Sequence, residues 1–467
     1  MWYNIQKFLS EIRVLIRIRI KPVHYIPLSF FLAILAGTAL LMLPFSSVPG
    51  ETTGFLTALF TATTSVCVTG LVVVDTYAHW SIFGQLVILF LIQIGGLGVV
   101  SVGAMLMIMT RRKFYLSNRM LLGDSLNVDE KRDLLRFLTR IFKGVIIVET
   151  TGALLCMIVF IPLLGATKGI WASIFQSVSA FCNAGMDVVG PDSMISLRSS
   201  SLLMITTMLL IILGGIGFVV WFDIIDGVKN AISYRLSFGK MLSRLPEHTK
   251  IVLLMTCGLI IFGAAGIMAA EYSNPDTLGM MELPDRIMNS LFQSITFRTA
   301  GFASIPQDKL TEISCMTGYV LMFIGGSPVG TAGGIKTMTA FLLIMNAFSY
   351  INGKKETVVF HRRVPEELMR KSSAIFFFSI ITVFIMTVML MSRGGITQTD
   401  ALYEVVSALG TVGLSRGLTP RLDSFGRIII IVSMYLGRIG PISMAIFFAK
   451  GNSDNSLKHA DGKFHVG

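Results

Sequence analysis

Charge is scarce in this chain of 467 residues: Asp, Glu, Lys and Arg together make up 14%. A soluble domain carries about 25%. Metal-binding and catalytic patterns are scarcer still. The six histidines (His24, His79, His248, His361, His459, His465) all lie outside the apolar runs, and no H-E-x-x-H is present. The five cysteines (Cys67, Cys156, Cys182, Cys257, Cys315) show no C-x-x-C or Cys/His spacing. That excludes a zinc site or a disulfide framework and leaves small apolar packing residues. No G-x-x-x-x-G-K-[ST] or strand-borne G-x-G-x-x-G occurs, so the chain binds no organic cofactor or nucleotide through a familiar motif. An ordinary soluble enzyme, a disordered protein and a coiled coil are likewise excluded.

Apolar residues are abundant instead, at 53% of the chain, with a mean hydropathy of +0.73. They fall into many runs long enough to span a bilayer. The net charge of +12 does not point to nucleic acid, because of how it is distributed. Of the 39 Lys and Arg, 28 lie in segments 1–25, 111–143, 223–250, 350–371 and 450–467, with 13 acids, a net +15. The intervening segments on the other side hold 8 basic and 13 acidic residues, a net −5. This alternation is the positive-inside pattern. It predicts a multi-pass protein of the plasma (cytoplasmic) membrane with both termini in the cytoplasm. Residues 1–25 mix basic and apolar residues without a cleavage site. They read as an amphipathic segment on the cytoplasmic surface.

The chain repeats itself four times, each unit reading apolar span, short apolar segment, glycine turn, second span. The units cover 26–110, 144–222, 251–349 and 372–449. They are separated by cytoplasmic loops 111–143, 223–250 and 350–371 and followed by the tail 450–467. The first spans are expected at 26–46, 144–164, 251–270 and 373–392, and the second at 82–109, 200–222, 314–349 and 426–449. The short segments, 53–65, 169–181, 284–297 and 398–409, cannot cross roughly 30 Å of hydrocarbon. They are therefore expected as re-entrant half-helices lining a cavity. The fold class expected is an all-α polytopic membrane protein. It has four helix–pore-loop–helix units around one central pore, with eight transmembrane helices and four half-helices.

Each half-helix ends in a similar turn: Val66-Cys67-Val68-Thr69-Gly70, Asn183-Ala184-Gly185, Thr299-Ala300-Gly301 and Thr411-Val412-Gly413. Successive glycines are 115, 116 and 112 residues apart, and Leu, Met or Phe follows each. A half-helix points the negative end of its dipole at the pore centre, and the returning strand can present carbonyls to a cation. Glycine suits such a strand because it accepts positive φ and leaves the conduit open.

The second spans carry Gly95-Gly96-Leu97-Gly98, Gly214-Gly215-Ile216-Gly217, Gly325-Gly326-Ser327-Pro328 and Gly437-Arg438-Ile439-Gly440. Close helix packing accounts for the first two. The third continues to Gly334, with Val329, Gly330, Thr331, Ala332 and Gly333 between. A helix through it would cost about 1 kcal/mol per Gly and about 3 for Pro. A break is predicted at 325–334, and a loop there can obstruct the pore. Arg438, at the corresponding depth of the fourth span, is expensive in hydrocarbon and expected to be functional. Its expected partners are the carbonyls of that loop, Ser327 or Thr331. Lys336 ends the loop or snorkels to the cytoplasmic face. Arg298 is expected to anchor the third turn by pairing with an acid such as Asp187, Glu282 or Glu404. Glu149, inside the second repeat's first span, is either a buried hydrogen-bonding acid or half of a pair.

These four span–pore-loop–span units, with one glycine per loop, resemble the Trk/Ktr/HKT superfamily of potassium transporters, and within it the bacterial Ktr-type pore subunits. The resemblance covers essentially the whole chain. It implies K+ as the transported ion, held by backbone carbonyls near Gly70, Gly185, Gly301 and Gly413. It implies a gate made of the 325–334 loop with Lys336, and Arg438 as an electrostatic barrier beneath the filter. It further implies a homodimer, a separate cytoplasmic ring of nucleotide-binding RCK subunits docked on the basic loops, and stimulation by Na+. The alternative is a secondary transporter of a small organic solute, although such transporters usually have two, often inverted, repeats.

Overall fold

A computed structural model describes residues 22–99, 101–102, 134–190, 192–392 and 394–440. The expected amphipathic start (through 21), most of loop 111–143, the ends of the first and fourth second spans, and the tail 450–467 lie outside the described residues.

The described chain is mostly helical. Its helices are α1 (Pro22–Leu41), α2 (Phe55–Val66), α3 (Thr76–His79), α4 (Ile82–Leu97), α5 (Leu134–Leu164), α6 (Ala166–Cys182), α7 (Ser201–Gly215), α8 (Phe218–Ser233), α9 (Phe238–Arg244) and α10 (Glu247–Glu271). They continue with α11 (Leu283–Thr296), α12 (Glu312–Phe323), α13 (Thr337–Ile351), α14 (Glu366–Met391), α15 (Gln398–Gly410) and α16 (Ser424–Ile439). Segment 223–250, expected as a loop, is largely helix. Segment 350–371 holds a two-stranded antiparallel hairpin, β1 (Val358–Val359) with β2 (Arg362–Arg363). A glycine-marked, basic segment reads as a loop even where short amphipathic helices form.

Helix starts follow local capping chemistry. Ser81, Thr311, Thr397 and Asp423 each accept a backbone N–H three residues on, from Gly84, Ser314, Asp400 and Gly426. Each thereby satisfies a donor that the first helical turn leaves free.

Three described helices are long and apolar enough to cross a membrane: 136–164 of α5, α10 and α14. The pair α7 and α8 passes the same test together but is bent by 101°. Outward side chains on the long helices are apolar and exposed, with Ile147 65% and Phe384 69% accessible. In water such a surface would be unusual; against lipid it is solvated. The polar residues are turned inward, among them Gln176, Gln293, Thr296 and Ser407, all buried.

The second spans differ from expectation. The sequence predicts a break only in the third. In fact α4 ends just before Gly98 (φ 85°), α7 ends at Gly215 with Gly217 (φ 91°) standing before α8, and α16 ends just before Gly440 (φ 92°), while the third is non-helical from 324 to 336. The expected close packing is present as well. A Cβ on Gly95, Gly214 or Gly437 would collide with the carbonyl oxygen of Val66, Phe181 or Leu409. Each of these carbonyls lies four residues before a turn glycine, so each second span is pressed against the end of a half-helix.

Candidate functional site

The half-helices α2, α6, α11 and α15 deliver the four glycine turns to one place. A Cβ built on Gly70 would lie within 2.6 Å of the carbonyl oxygen of Ala184. One on Gly185 would meet Ala300 O, one on Gly301 would meet Val412 O, and one on Gly413 would meet Thr69 O, again within 2.6 Å. The chain of contacts runs from the first turn to the second, third and fourth and back to the first. It is a closed ring of backbone, and side chains are excluded from it by the neighbouring carbonyls.

The four turns share an unusual backbone. The glycines have φ of 101°, 65°, 84° and 94°. Two residues earlier stand Val68, Asn183, Thr299 and Thr411, with φ of 55°, 60°, 69° and 52°. For a β-branched residue this region costs about 1–2 kcal/mol. Three of the four residues are β-branched, so the surrounding structure must impose the shape. Backbone N–H groups of Thr69, Ala184 and Val412 close the half-helices onto Thr64, Ser179 and Ser407 carbonyls, each at 2.8 Å. Ala300 instead bonds to Thr296 O at 3.0 Å.

The ring separates two cavities. On the side to which the chain returns after each glycine is a space of about 170 Å³, lined by the four glycines with Asp75, Asp187 and Gln307. On the other side is a larger one of about 800 Å³, lined by Gly96, Pro328, Gly330, Lys336, Arg438 and others.

Between ring and larger cavity lies the loop that interrupts the third second span. Ile324 and Ile335 pair as its feet, with Gly325 N donating to Ile335 O at 2.9 Å. The loop docks into the break between α7 and α8: Ser327 N donates to Gly215 O (2.9 Å), Thr331 N to Gly214 O (3.1 Å), and Phe218 N to Val329 O (3.1 Å). The Thr331 hydroxyl lies 3.1 Å from the Asn183 side-chain amide and 3.1 Å from Phe181 O. A Cβ on Gly333 would strike the Thr411 hydroxyl, so the loop abuts the second and fourth turns. Ser327 and Thr337 hydroxyls are 3.1 Å apart, and Lys336 Nζ donates back to Ala332 O at 2.6 Å. Gly326, Pro328, Gly330 and Gly334 complete the loop, Gly334 with φ of 68°.

Arg438 reaches this loop from α16. Its guanidinium donates to Thr331 O, and also to Gly95 O and Gly96 O (3.3 Å for the last) at the end of α4. It therefore ties the loop to the first and fourth second spans at once. The sequence points to the loop carbonyls but not to those of α4.

Arg298 is not paired as expected. Its Nη2 donates to Gly325 O at 3.4 Å, and its Nε has no partner. Among the described residues it makes no ion pair. Glu404 accepts instead from Ser415 (2.8 Å) and Thr419, and Asp187 from Val189 N (3.4 Å). The physical reason is chain direction: Arg298 precedes its glycine and faces the loop, whereas Asp187 and the Ser415 partner of Glu404 follow theirs on the opposite side. Glu149 accepts from Gln93 Nε2 at 3.2 Å; its partner is an amide, not a base.

Sequence reading missed one set of residues. Hydroxyls in the last turn of each half-helix, Thr64, Ser179, Thr296 and Ser407, bond forward into the glycine turns. The available signal was a Ser or Thr six residues before Gly70, Gly185 and Gly413, and five before Gly301.

Helices with lipid-compatible exteriors, a polar interior and a backbone ring between two cavities define a helical membrane protein built to pass small solutes. Residues 25–459 match the family described as TrkH, cation transport protein. The potassium/sodium uptake protein NtpJ of Enterococcus hirae is 37% identical, over 91% of this chain and 92% of that protein. The Ktr system potassium uptake protein B of Bacillus subtilis is 36% identical, over 98% of this chain and 100% of that protein. The crystal structure of the potassium transporter TrkH from Vibrio parahaemolyticus superposes with a TM-score of 0.71 at 16% identity, over 93% of this chain and 86% of that one. The chain belongs to the TrkH family of cation transport proteins, a family of transporters and not an enzyme class, and it shares the fold of that solved structure.

Proposed function

We propose that this chain is the pore-forming membrane subunit of a K+ uptake system. One observation carries the reading: the cyclic contact of the four glycine turns. Four backbone segments meeting head to neighbour make a conduit bounded by carbonyls, with no side chain to recognise an organic solute. Such a ring replaces the water shell of a monovalent cation. The name of the Bacillus relative, a potassium uptake protein, supports K+ as the ion, while that of the Enterococcus relative names potassium and sodium together.

In this reading the chain is four helix–half-helix–helix units around one pore, with eight spans. The 170 Å³ cavity is the outer mouth, where Asp75 and Asp187 draw cations in. The filter is Val66–Gly70, Asn183–Gly185, Thr299–Gly301 and Thr411–Gly413. Loop 325–334 is the gate, with Lys336 at its foot and Arg438 as its latch and as a positive barrier below the ring. The chain works in the plasma membrane as a homodimer, termini in the cytoplasm, under an RCK ring docked on the basic segments, with Na+ as a stimulating ion. The name of the Bacillus relative, protein B of a Ktr system, supports a second, separate component.

The test is rubidium influx into liposomes holding this chain, with K+ and Na+ competing outside and Gly301→Ser alongside. K+ should compete far better than Na+, and the variant should narrow the difference. Equal competition by the two ions, or an unaltered preference in the variant, rejects the filter.

A further inference from the structure

The turn geometry has to be held from behind, and the hydroxyls that end the half-helices are in position to do so. We propose that Thr64, Ser179, Thr296 and Ser407 are positioning residues that set ion discrimination by fixing which way the peptide groups of the glycine turns face. The inference rests on the filter reading above.

All four side chains are buried. Thr64 Oγ1 accepts from Gly70 N at 2.9 Å, and Ser407 Oγ accepts from Gly413 N at 3.1 Å. A trans peptide is planar, with its N–H and C=O on opposite edges. Holding the Gly70 N–H toward Thr64 therefore turns the Thr69 carbonyl the other way. That carbonyl is the atom that a Cβ on Gly413 would strike, on the ring itself. The Val412 carbonyl, opposite the tied Gly413 N–H, stands in the same relation to Gly301. In the first and fourth turns one hydroxyl thus orients one ring carbonyl.

The second and third turns are tied one residue later. Ser179 Oγ accepts from Met186 N at 3.1 Å and donates to Met186 O at 2.5 Å. Thr296 Oγ1 donates to Phe302 O at 2.7 Å. Four hydroxyls therefore act on four turns: Thr64 and Ser407 on the glycine N–H, Ser179 on the N–H and C=O of Met186, and Thr296 on the C=O of Phe302. Without the Thr64 or Ser407 tie, the buried N–H of Gly70 or Gly413 is left unsatisfied and gains by rotating toward the conduit, carrying the Thr69 or Val412 carbonyl out of the ring. The turn has little reason of its own to stay: Val68, Thr299 and Thr411 are already in a region that β-branched residues avoid.

The alternative is that these hydroxyls only satisfy helix ends, as Ser and Thr do throughout apolar helices. The two differ in what they protect. A helix-end role protects the amount of folded protein; a positioning role protects the ratio of Na+ to K+ inhibition constants against rubidium influx. Four variants decide between them: Thr64→Val, Thr64→Ser, Ser179→Ala and Ser407→Ala, each reconstituted in liposomes as the full chain beside Gly301→Ser.

Thr64→Val and Ser407→Ala should each lower that ratio about fivefold, and Ser179→Ala, which loses two bonds, more. Thr64→Ser, which restores the hydroxyl, should recover the ratio. Should Ser179→Ala fail to assemble, the two single-bond variants carry the test. Ratios unmoved in Thr64→Val and Ser407→Ala, with Gly301→Ser lowered, overturn the inference and leave the filter standing. A ratio lowered as much by Thr64→Ser as by Thr64→Val also overturns it, since packing and not the hydrogen bond is then at work. Ratios unmoved in every variant, Gly301→Ser included, reject the filter reading itself and this inference with it.

Discussion

The side-chain amide of Asn183 lies 3.1 Å from the hydroxyl of Thr331, joining the second glycine turn to the loop beneath it. The same hydroxyl reaches Phe181 O, and the same residue's carbonyl accepts a hydrogen bond from Arg438. Thr331 is thus the point where the ring, the loop and the fourth second span meet. A loop bonded to the ring in this way moves only by breaking the contacts of the Thr331 hydroxyl with Asn183 and Phe181 O and the bond from Arg438 to Thr331 O.

Thr331→Val removes the hydroxyl at nearly constant volume. The docked loop then loses about 1 kcal/mol for each neutral bond. Resting rubidium influx through the chain alone should rise severalfold, and influx equal to that of the unaltered chain would show that the contact does not hold the loop.

Gly185→Ala puts a methyl group within 2.6 Å of Ala300 O and of the Gly301 Cα, both backbone and unable to yield. With φ of 65°, the position is also strained for alanine. Influx should fall and its preference for K+ over Na+ should narrow, as in Gly301→Ser, while the protein still purifies as a folded species. Normal influx would mean that the second turn does not bound the conduit.

Half-helices and ring were legible because their signal is simple. Apolar segments of 10 to 14 residues cannot span, and a glycine closes each one at near-constant spacing. The break at 325–334 was legible because five glycines and a proline fall within ten residues. The breaks at Gly98, Gly217 and Gly440 were not. Gly-Gly-x-Gly in the first two, and Gly-Arg-Ile-Gly in the fourth, reads equally as part of a continuous helix, and only the positive φ of Gly98, Gly217 and Gly440 shows the break. The hydroxyl ties were hidden for a similar reason: a Ser or Thr in an apolar helix usually bonds back to its own helix, as Thr63 does to Leu59 O at 2.7 Å. The Arg298 partner was missed because an arginine in an apolar run suggests an acid, whereas here the Gly325 carbonyl takes that place.

Glu271 illustrates a different kind of anchor. It ends α10, is fully buried, and accepts from Thr277 Oγ1 (2.6 Å), Asn274 Nδ2 (2.6 Å), Thr311 N (2.9 Å) and Thr311 Oγ1 (2.8 Å). It joins the end of α10 to the start of α12. Glu271→Ala removes the acceptor that four donors share, leaving Thr311 N without one while Asn274, Thr277 and the Thr311 hydroxyl keep a second partner, and bonds to a charged group are worth about 1.5–3 kcal/mol each. The protein should melt several degrees lower in detergent, with Glu271→Gln intermediate. A melting temperature unchanged in Glu271→Ala would assign these bonds no net weight.

Arg438 is placed to act in two ways that a pair of substitutions separates. As a latch, it works through the geometry of its fork, which reaches Thr331 O on the loop and Gly95 O and Gly96 O on α4 together. As a barrier, it works through its charge beside the path. Lysine keeps the charge but is a point donor without the planar fork. Glutamine loses the charge and most of the reach. If latch and barrier both operate, Arg438→Lys should raise resting rubidium influx and Arg438→Gln should raise it further, by removing the repulsion as well. Influx in Arg438→Lys equal to the unaltered chain would leave charge alone as the active property. Equal influx in the two variants would leave the fork alone. Either result can be read from the same liposomes, because both variants retain Thr331 and its bonds to the second turn.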